Sequence, residues 1–262
     1  MKTIYTTAAA AILLVLNTTA WGGVINDTFD TIDPAWTTDR YEPAGFSSVM
    51  FDGDNRLEIA IADADSAANR PSGYSGTFYN TQGRQRPASN GTTWTVSADL
   101  YISADMLSGD NLRRTDLWTR DSNPDENSAQ YPIIGVIRND DSDPFNPSAS
   151  LTTRWRVWDG DTANGWVDLS EAVTAGWHTL SIKADGSTFD YAIDGSSVYV
   201  DSTVSAAGSA ALQTVFLQAY NFGGQDYAVY WDNLHAVPEP ASCVLVLGAA
   251  VGALGLLRRR RK

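Results

Sequence analysis

Apolar residues occupy every second position over residues 93–103, and this strict alternation is the strongest constraint that the sequence places on its fold. The apolar side chains of the stretch fall on one face: Trp94, Val96, Ala98, Leu100 and Ile102. A period of two over this length is the pattern of a half-buried β-strand, whereas a helix would scatter the same residues around its axis. The stretch therefore predicts a sheet with one face on a hydrophobic core.

The chain between residues 24 and 237 continues in the same way, with short strands, frequent turn signals and no long helix. Asp-Gly pairs at 52–53, 185–186 and 194–195 suit tight hairpins, because both residue types tolerate positive φ. We predict strands at 24–29, 46–51, 56–62, 93–103, 115–120, 131–138, 151–158, 177–184, 188–193, 197–201, 212–222 and 226–237. The predicted fold class is all-β, a two-sheet antiparallel β-sandwich.

The last third of this region resembles the concanavalin A-like lectin/glucanase jelly roll, as found in laminin-G-like modules. The resemblance is carried by residues 176–182 (Gly-Trp-His-Thr-Leu-Ser-Ile), 189–195 (Phe-Asp-Tyr-Ala-Ile-Asp-Gly) and 230–234 (Tyr-Trp-Asp-Asn-Leu). It implies a jelly-roll sandwich. It leaves the activity open, because one sandwich hosts lectins, hydrolases, lyases and adhesive modules.

The chain ends in three consecutive segments with different physical properties. The first is Val237, Pro238, Glu239 and Pro240, whose prolines keep it extended and should prevent it from continuing a strand. An uncharged apolar run at 241–257 follows, at the short end of what crosses a hydrocarbon core of about 30 Å. The cations at 258–262 close the chain and would stay on the cytoplasmic side of a membrane.

This tripartite tail resembles the PEP-CTERM sorting signal of bacterial surface proteins. The resemblance implies recognition by a membrane-embedded exosortase, cleavage near the motif, and release or attachment outside the cell. The transmembrane sorting helix would then anchor the chain only transiently, with its C-terminus in the cytoplasm. An ordinary single-span tail anchor is the alternative.

The N-terminus also predicts export. Lys2 precedes an apolar stretch at residues 8–16, and the small residues around Ala20 suit signal-peptide cleavage there, with Gly22 or Gly23 as alternative sites. A retained N-terminal anchor is disfavoured because the apolar stretch is short. The predicted organisation is a signal peptide at 1–20, a sandwich domain at 21–236 and a sorting signal at 237–262.

The domain between the two targeting segments is strongly acidic. Of 18 basic residues, Lys2 and the five C-terminal cations leave 12 for the domain; of 31 acidic residues, Glu239 lies outside it and 30 remain, which gives a net charge of −18. Such a surface repels nucleic acid, so a nucleic-acid partner is excluded, and it favours divalent cations. The one cysteine, Cys243, lies in the apolar tail, so the domain contains no disulfide.

Catalytic signatures are missing from the domain. Glycosidases of this fold use two carboxylates flanking the scissile bond, and the laminarinase-like spacing Glu-x-Asp-x-x-Glu is absent. His178 and His235 have no partners at a spacing that would indicate a lyase. We therefore predict that the chain is not an enzyme, with a glycosidase or lyase on the same sandwich as the alternative.

Two predicted strands, 115–120 and 151–158, each place a tryptophan and arginines on the face away from the core. Aromatic rings stack on the C–H faces of sugars, while guanidinium groups bond hydroxyls or carboxylates. The candidate carbohydrate-binding residues are Trp118, Arg120, Arg154, Arg156, Trp158, Gln218 and Tyr220. The alternative is that these residues pack across the strands as cation–π pairs and only stiffen the sheet.

Two loops alternate oxygen-bearing side chains in a way that suits calcium, which takes six to eight oxygen ligands. The candidate ligands are Asp121, Asn123, Asp125, Asn139, Asp141 and Asp143. Calcium is therefore the one cofactor that the sequence suggests. Neither loop is an EF-hand, and Asp and Asn also dominate ordinary turns.

These features together predict an exported cell-surface or extracellular-matrix protein. Its predicted partners are exosortase during processing and an extracellular polysaccharide or matrix afterwards, bound without catalysis by the sandwich. A purely structural surface protein with no defined ligand is a further alternative.

Overall fold

The computed structural model describes residues 24–122, 130–139, 151–163, 165–202 and 211–238. The predicted signal peptide, the apolar span and the terminal cations lie outside these residues. The helices of the described part are short 3-10 turns at Asp63–Asp65, Ser72–Tyr74, Thr77–Asn80 and Ala104–Met106. None of them has the length and apolar character needed to cross a membrane.

Strands form the framework of the described residues. In chain order they are β1 (Ile25–Asp27), β2 (Thr37–Thr38), β3 (Gly45–Phe51), β4 (Asp54–Ile61), β5 (Thr81–Pro87), β6 (Trp94–Ile102), β7 (Arg113–Ser122), β8 (Ile133–Asn139), β9 (Thr152–Trp158), β10 (Trp166–Asp168), β11 (Gly176–Ala184), β12 (Phe189–Ile193), β13 (Ser196–Asp201), β14 (Ala211–Tyr220) and β15 (Tyr227–Pro238). The prediction of an all-β domain is confirmed.

The strands form two antiparallel sheets. Sheet A has the order β13-β12-β11-β6-β15-β4-β3, with β1 beside β15, and sheet B has the order β10-β9-β8-β7-β14-β5-β2. Strands that are distant in the chain are neighbours in both sheets, such as β6 and β15 in sheet A or β7 and β14 in sheet B. The predicted two-sheet jelly-roll sandwich is confirmed.

One large hydrophobic core lies between the sheets. The alternating apolar residues of β6 are all fully buried in it: Trp94, Val96, Ala98, Leu100 and Ile102. Leu117 and Leu217 join the same cluster from sheet B. The half-buried strand predicted at residues 93–103 is therefore a central strand whose inner face is the core.

Trp231 of β15 ties the two sheets together. Its side chain is fully buried, and its Nε1 donates a hydrogen bond of 3.0 Å to Oγ1 of Thr115 in β7. The Thr115 hydroxyl in turn donates to the carbonyl oxygen of Gln218 in β14, at 2.7 Å. The core is thus bonded directly to the two strands at the centre of sheet B.

Two of the predicted Asp-Gly turns form tight hairpins. Asp52 and Gly53, between β3 and β4, have φ angles of 51° and 85°. Asp194 and Gly195, between β12 and β13, have φ angles of 51° and 77°. Positive φ at both central positions matches the right-handed twist of the flanking strands, which explains the Asp-Gly sequences.

The turn between β11 and β12 is held by the exposed side chain of Asp185. One carboxylate oxygen accepts hydrogen bonds from the Ser187 N–H, the Ser187 hydroxyl and the Thr188 N–H, each at 2.8 Å. These bonds lower the pKa of Asp185 from 3.8 to about 2, and the bond from the Ser187 backbone N–H has the largest effect.

We expect Asp185→Asn to destabilise the fold at neutral pH, by less than about 1 kcal/mol because the carboxylate is exposed. The folded-state pKa is depressed, so the carboxylate contributes its full stability above the unfolded pKa and loses it as the pH falls through about 2. Urea denaturation in steps between neutral and strongly acidic pH should show the variant and the wild type converge. A difference that stays constant over that range would contradict the prediction.

Strand β15 extends into the sorting signal. Val237 pairs with Thr95, and Pro238 pairs with Trp94, both in β6. The expectation that the prolines keep this segment out of a strand is therefore wrong for Pro238. Pro238 is the last residue of β15, where its fixed φ suits an extended chain and its missing N–H removes only a terminal bond.

Candidate functional site

Side chains on the outer face of sheet B, the face turned away from the core, line up in two rows that cross the strands. Paired residues of neighbouring strands lie side by side, so the register defines each row. The polar row consists of Asp168, Arg156, Gly135, Asp116, Gln218 and Gly83. The aromatic row consists of Trp166, Trp158, Ile133, Trp118, Phe216 and Gln85.

The aromatic row forms a hydrophobic cluster separate from the main core. Trp118, Ile133 and Phe216 are buried in it, and the half-buried rings of Trp158 and Trp166 pack against them. The two half-buried rings meet edge to face, with centroids 5.2 Å apart. This outer face therefore offers aromatic surface beside the polar row.

Asp116 and Gln218 form the centre of the polar row. They pair across β7 and β14 and are 1% and 0% exposed. Asp116 Oδ2 accepts a bond of 2.6 Å from Arg114 Nε, and Gln218 Nε2 donates one of 2.7 Å to Asp39 Oδ2. The remaining oxygens, Asp116 Oδ1 and Gln218 Oε1, are buried and have no hydrogen-bond partner among the described residues. A buried polar atom without a partner costs about 1–3 kcal/mol, so a water or ligand that donated to these two oxygens would be stabilised there.

A glycine stands on each side of this central pair. A Cβ on Gly135 would lie 2.3 Å from Asp116 Oδ1 and 2.4 Å from the carbonyl oxygen of Thr115. A Cβ on Gly83 would lie 2.3 Å from the carbonyl oxygen of Leu217 and 2.8 Å from the Cα of Gln218. Neither position accepts a side chain, so no side chain flanks the pair within its row.

Arginines and Trp166 lie over one end of the polar row. The guanidinium of Arg156 stacks 3.7 Å from the Trp166 ring centroid, and that of Arg114 lies 4.9 Å from the same ring and 5.1 Å from Tyr220. Arg154 forms an ion pair of 2.6 Å with Asp168. The planar groups are thus held by stacking and by neighbouring carboxylates.

Arg40 covers the face from the opposite side. Its guanidinium lies 4.6 Å from the Trp118 ring and 4.5 Å from the exposed ring of Phe78. Burial lowers the pKa of Arg40, with Asp39 opposing the shift and the nearby charge of Arg114 adding to it. Arg40 and Arg114 are therefore two cations on the same face that repel each other.

All seven predicted carbohydrate-binding residues belong to strands of sheet B, and strand alternation places them on its outer face. Trp118 and Arg120 lie on β7, Arg154, Arg156 and Trp158 on β9, and Gln218 and Tyr220 on β14. The structure differs from an open platform, because Trp118 is 5% and Arg156 1% exposed. Arg40 and Trp166 cover them. Their role in binding stays a prediction.

Sequence reasoning missed several residues of this face, among them Arg40, Gly83, Arg114, Gly135 and Trp166. Starting the predicted strand 115–120 one residue earlier would have placed Arg114 beside Asp116. No local pattern identifies Arg40 or Trp166, because each reaches the face from a short segment beside the central strands.

Most of the predicted calcium ligands cannot be placed. Asn123, Asp125, Asp141 and Asp143 lie outside the described residues. Asp121 is buried and accepts a bond of 2.8 Å from the Gln130 N–H, and Asn139 is buried at the end of β8. The calcium site stays a prediction.

A different carboxylate group, which the sequence did not suggest, lies at one end of the sandwich. Oxygens of Asp159, Asp161 and Asp201 lie within 4.8 Å of one another, an arrangement that can supply ligands to a divalent cation. Asp159 accepts bonds from the Tyr199 hydroxyl at 2.6 Å and from the Asp161 N–H at 2.9 Å. The first of these bonds is the main cause that raises the pKa of Tyr199 to about 12. These bonds already account for the position of Asp159.

Comparison with known families identifies the tail. Residues 236–262 match the family described as the PEP-CTERM protein-sorting motif. The predicted sorting signal is confirmed, and it indicates an exported protein sorted through exosortase. No curated protein matches the chain by sequence.

Solved structures share the sandwich. A sialidase matches with a TM-score of 0.52 and 11% identity, over 83% of this chain and 18% of that one. A family 16 glycoside hydrolase endo-glucanase from Bacteroides ovatus matches with a TM-score of 0.47 and 12% identity, over 80% and 99%. A pseudo beta-1,3-glucanase of Mycobacterium tuberculosis matches with a TM-score of 0.49 and 13% identity, over 82% and 98%. At these identities the likeness shows the fold alone.

The prediction that the chain is not an enzyme is wrong. It rested on the absence of a carboxylate spacing and of informative partners for His178 and His235, and the solved structures that share the sandwich include a family 16 endo-glucanase. A missing sequence motif therefore does not exclude a glycosidase on this fold.

Proposed function

We propose that this chain is an exported surface protein whose sandwich binds an extracellular polysaccharide across the outer face of sheet B. The observation that carries the proposal is the pair of buried, unbonded oxygens at Asp116 and Gln218, next to the aromatic row. Both oxygens are acceptors, and sugar hydroxyls are donors. Because the two residues are 1% and 0% exposed, a polysaccharide would have to displace the side chains that cover the pair, and it would then supply the donors that the described residues do not.

The aromatic row provides the second element of sugar recognition. The half-buried rings of Trp158 and Trp166 leave part of their surface accessible beside the polar row. Sugar rings present apolar C–H faces that pack on indole, while their hydroxyls point to the side. A polysaccharide running across the strands would therefore contact both rows at once.

The processing steps complete this proposal. Residues 1–20 would be removed as a signal peptide, residues 21–236 would form the exported sandwich, and residues 237–262 would be the sorting signal. Exosortase would act on the tail while its apolar span is in the membrane, with the C-terminus in the cytoplasm. The sandwich would then reach the cell surface or the extracellular matrix.

Glycoside hydrolysis is the second candidate function, and Asp116 is the observation that favours it. This carboxylate lies at the centre of the face where a polysaccharide would bind, and glycosidases need two carboxylates around the scissile bond. Asp39, whose Oδ2 accepts a hydrogen bond from Gln218, is a second carboxylate on this face. Release of reducing ends that is lost in both Asp116→Asn and Asp39→Asn would establish this activity.

Affinity electrophoresis of the full-length chain in mild detergent, through a panel of neutral and acidic polysaccharides, tests the binding proposal. We expect Trp158→Ala and Gln218→Leu each to weaken retention about tenfold, because each removes one of the two recognition elements. Melting temperatures would establish that both variants fold.

Trp177→Ala is the matched control for these variants. Trp177 is also half-buried, but it lies on the outer face of sheet A, where its Nε1 donates to Asp52 at 2.9 Å. It should leave retention unchanged. Retention that survives Trp158→Ala and Gln218→Leu would show that the site is elsewhere, and no retention by any polysaccharide would favour a purely structural surface protein.

A further inference from the structure

We propose that the polysaccharide bound across sheet B is acidic, with carboxylate or sulfate groups on its repeating units. The inference rests on the proposed function and names the chemical class of its ligand. The juxtaposition that carries it is a group of arginines around the polar row, on a domain that is otherwise strongly acidic.

The charge of this face is opposite to that of the domain. Residues 24–236 carry 12 basic and 30 acidic residues. Five of those 12 cations lie on the outer face of sheet B: Arg40, Arg114, Arg120, Arg154 and Arg156. Three aspartates accompany them there, namely Asp39, Asp116 and Asp168. Five cations and three anions give this set of residues a net charge of +2, whereas the net charge of the whole domain is −18.

The rest of the domain would repel a polyanion, which makes this face the favourable place for one. The arginines also have the right form for anion recognition. A guanidinium has five N–H donors, and the ion pairs to Asp116 and Asp168 each use only part of them. Stacking on Trp166 holds the planes of Arg114 and Arg156, so little side-chain entropy is lost when an anion binds.

Arg40 and Arg114 show where an anionic group would fit. They approach the face from opposite sides, against the Trp118 and Trp166 rings, and their like charges repel, which adds to burial in lowering the pKa of Arg40. A carboxylate or sulfate group between them would relieve that repulsion and form charge-assisted hydrogen bonds to both. A neutral hydroxyl in the same place would bond without relieving it.

The experiment compares pairs of polymers in which an anionic group is either present or replaced by a neutral group. One pair is polygalacturonate and its carboxyl-reduced form; the other is a sulfated galactan and its desulfated form. We expect the full-length chain to bind at least one charged polymer about tenfold or more tightly than its neutral partner in affinity electrophoresis. The pair that shows the larger difference identifies the anionic group.

In each of the variants Arg114→Gln and Arg154→Gln, the affinity of the protein for the charged polymer should fall close to its affinity for the neutral one. Lys183→Gln is the matched control, because it makes the same change in net charge from an exposed position of β11 on the outer face of sheet A. Melting temperatures would identify any variant that fails to fold.

Three results would overturn the inference in distinguishable ways. Equal binding of charged and neutral polymers would refute the acidic ligand while leaving polysaccharide binding in place. A preference that survives both arginine variants as well as the lysine control would place the anion elsewhere. Failure to bind any of the four polymers or the wider panel would refute the proposed function itself.

Discussion

Replacing Trp231 with alanine should lower the free energy of unfolding by about 3–5 kcal/mol. Trp231 is fully buried between the sheets, on the strand that pairs with both β4 and β6. The substitution removes a large volume of packed side chain, and the surrounding strands can refill it only in part. It also removes the donor to Thr115 Oγ1 that bonds one sheet to the other.

Chemical denaturation followed by intrinsic fluorescence measures this effect. Trp231→Phe keeps an aromatic ring but loses the hydrogen bond and part of the packed volume, so it should cost less than Trp231→Ala, with about 1 kcal/mol of its loss due to the bond. Trp177→Ala is the control of equal size change at a half-buried surface position. A loss for Trp231→Ala no larger than that of the control would show that the sheets are not held together at this point.

The Gly135→Ala variant should lose about 3 kcal/mol, at the upper end of the usual cost of overpacking. The added Cβ would meet the Thr115 carbonyl oxygen at 2.4 Å and the Cα of Asp116 at 2.8 Å. Both are backbone atoms, so relief requires β7 and β8 to move apart. That movement breaks the register of the polar row at its centre, so polysaccharide binding should fall with stability.

Gly91→Ala is the matched control for this variant. A Cβ on Gly91 meets no atom within 4 Å, and its φ is not in the positive range. The substitution should therefore change stability by less than about 1 kcal/mol and leave binding intact. A Gly135→Ala protein as stable as the Gly91→Ala protein would mean that the two strands can separate at this row without cost.

The strands of this protein were predictable to the extent that each has its own apolar pattern. Residues 93–103 predict β6 because five apolar side chains alternate, and all five are buried in the structure. The Asp-Gly pairs at 52–53 and 194–195 predict hairpins because the backbone there needs positive φ at both positions. Both signals are local, so they can be recognised without knowledge of the neighbouring strands.

The composition of the candidate site was predictable only in part. Alternation places Trp118 and Arg156 on the face away from the core, and the structure agrees. Their burial was not predictable, because the groups that cover them, Arg40 and Trp166, belong to other segments of the chain. Alternation predicts on which face of the sheet a side chain lies, but it does not predict which residues from other segments cover that side chain.

Residues that are adjacent in sequence were enough to predict the sorting tail, the export of the chain and the all-β class. An apolar span, a block of cations and an alternating strand are each a property of one segment. The site depends on pairing between segments. Asp116 and Gln218 are 102 positions apart, and only the register of β7 on β14 makes them neighbours between Gly135 and Gly83. That register is set by the core packing of two sheets, to which every strand contributes, so no single stretch of the chain contains it.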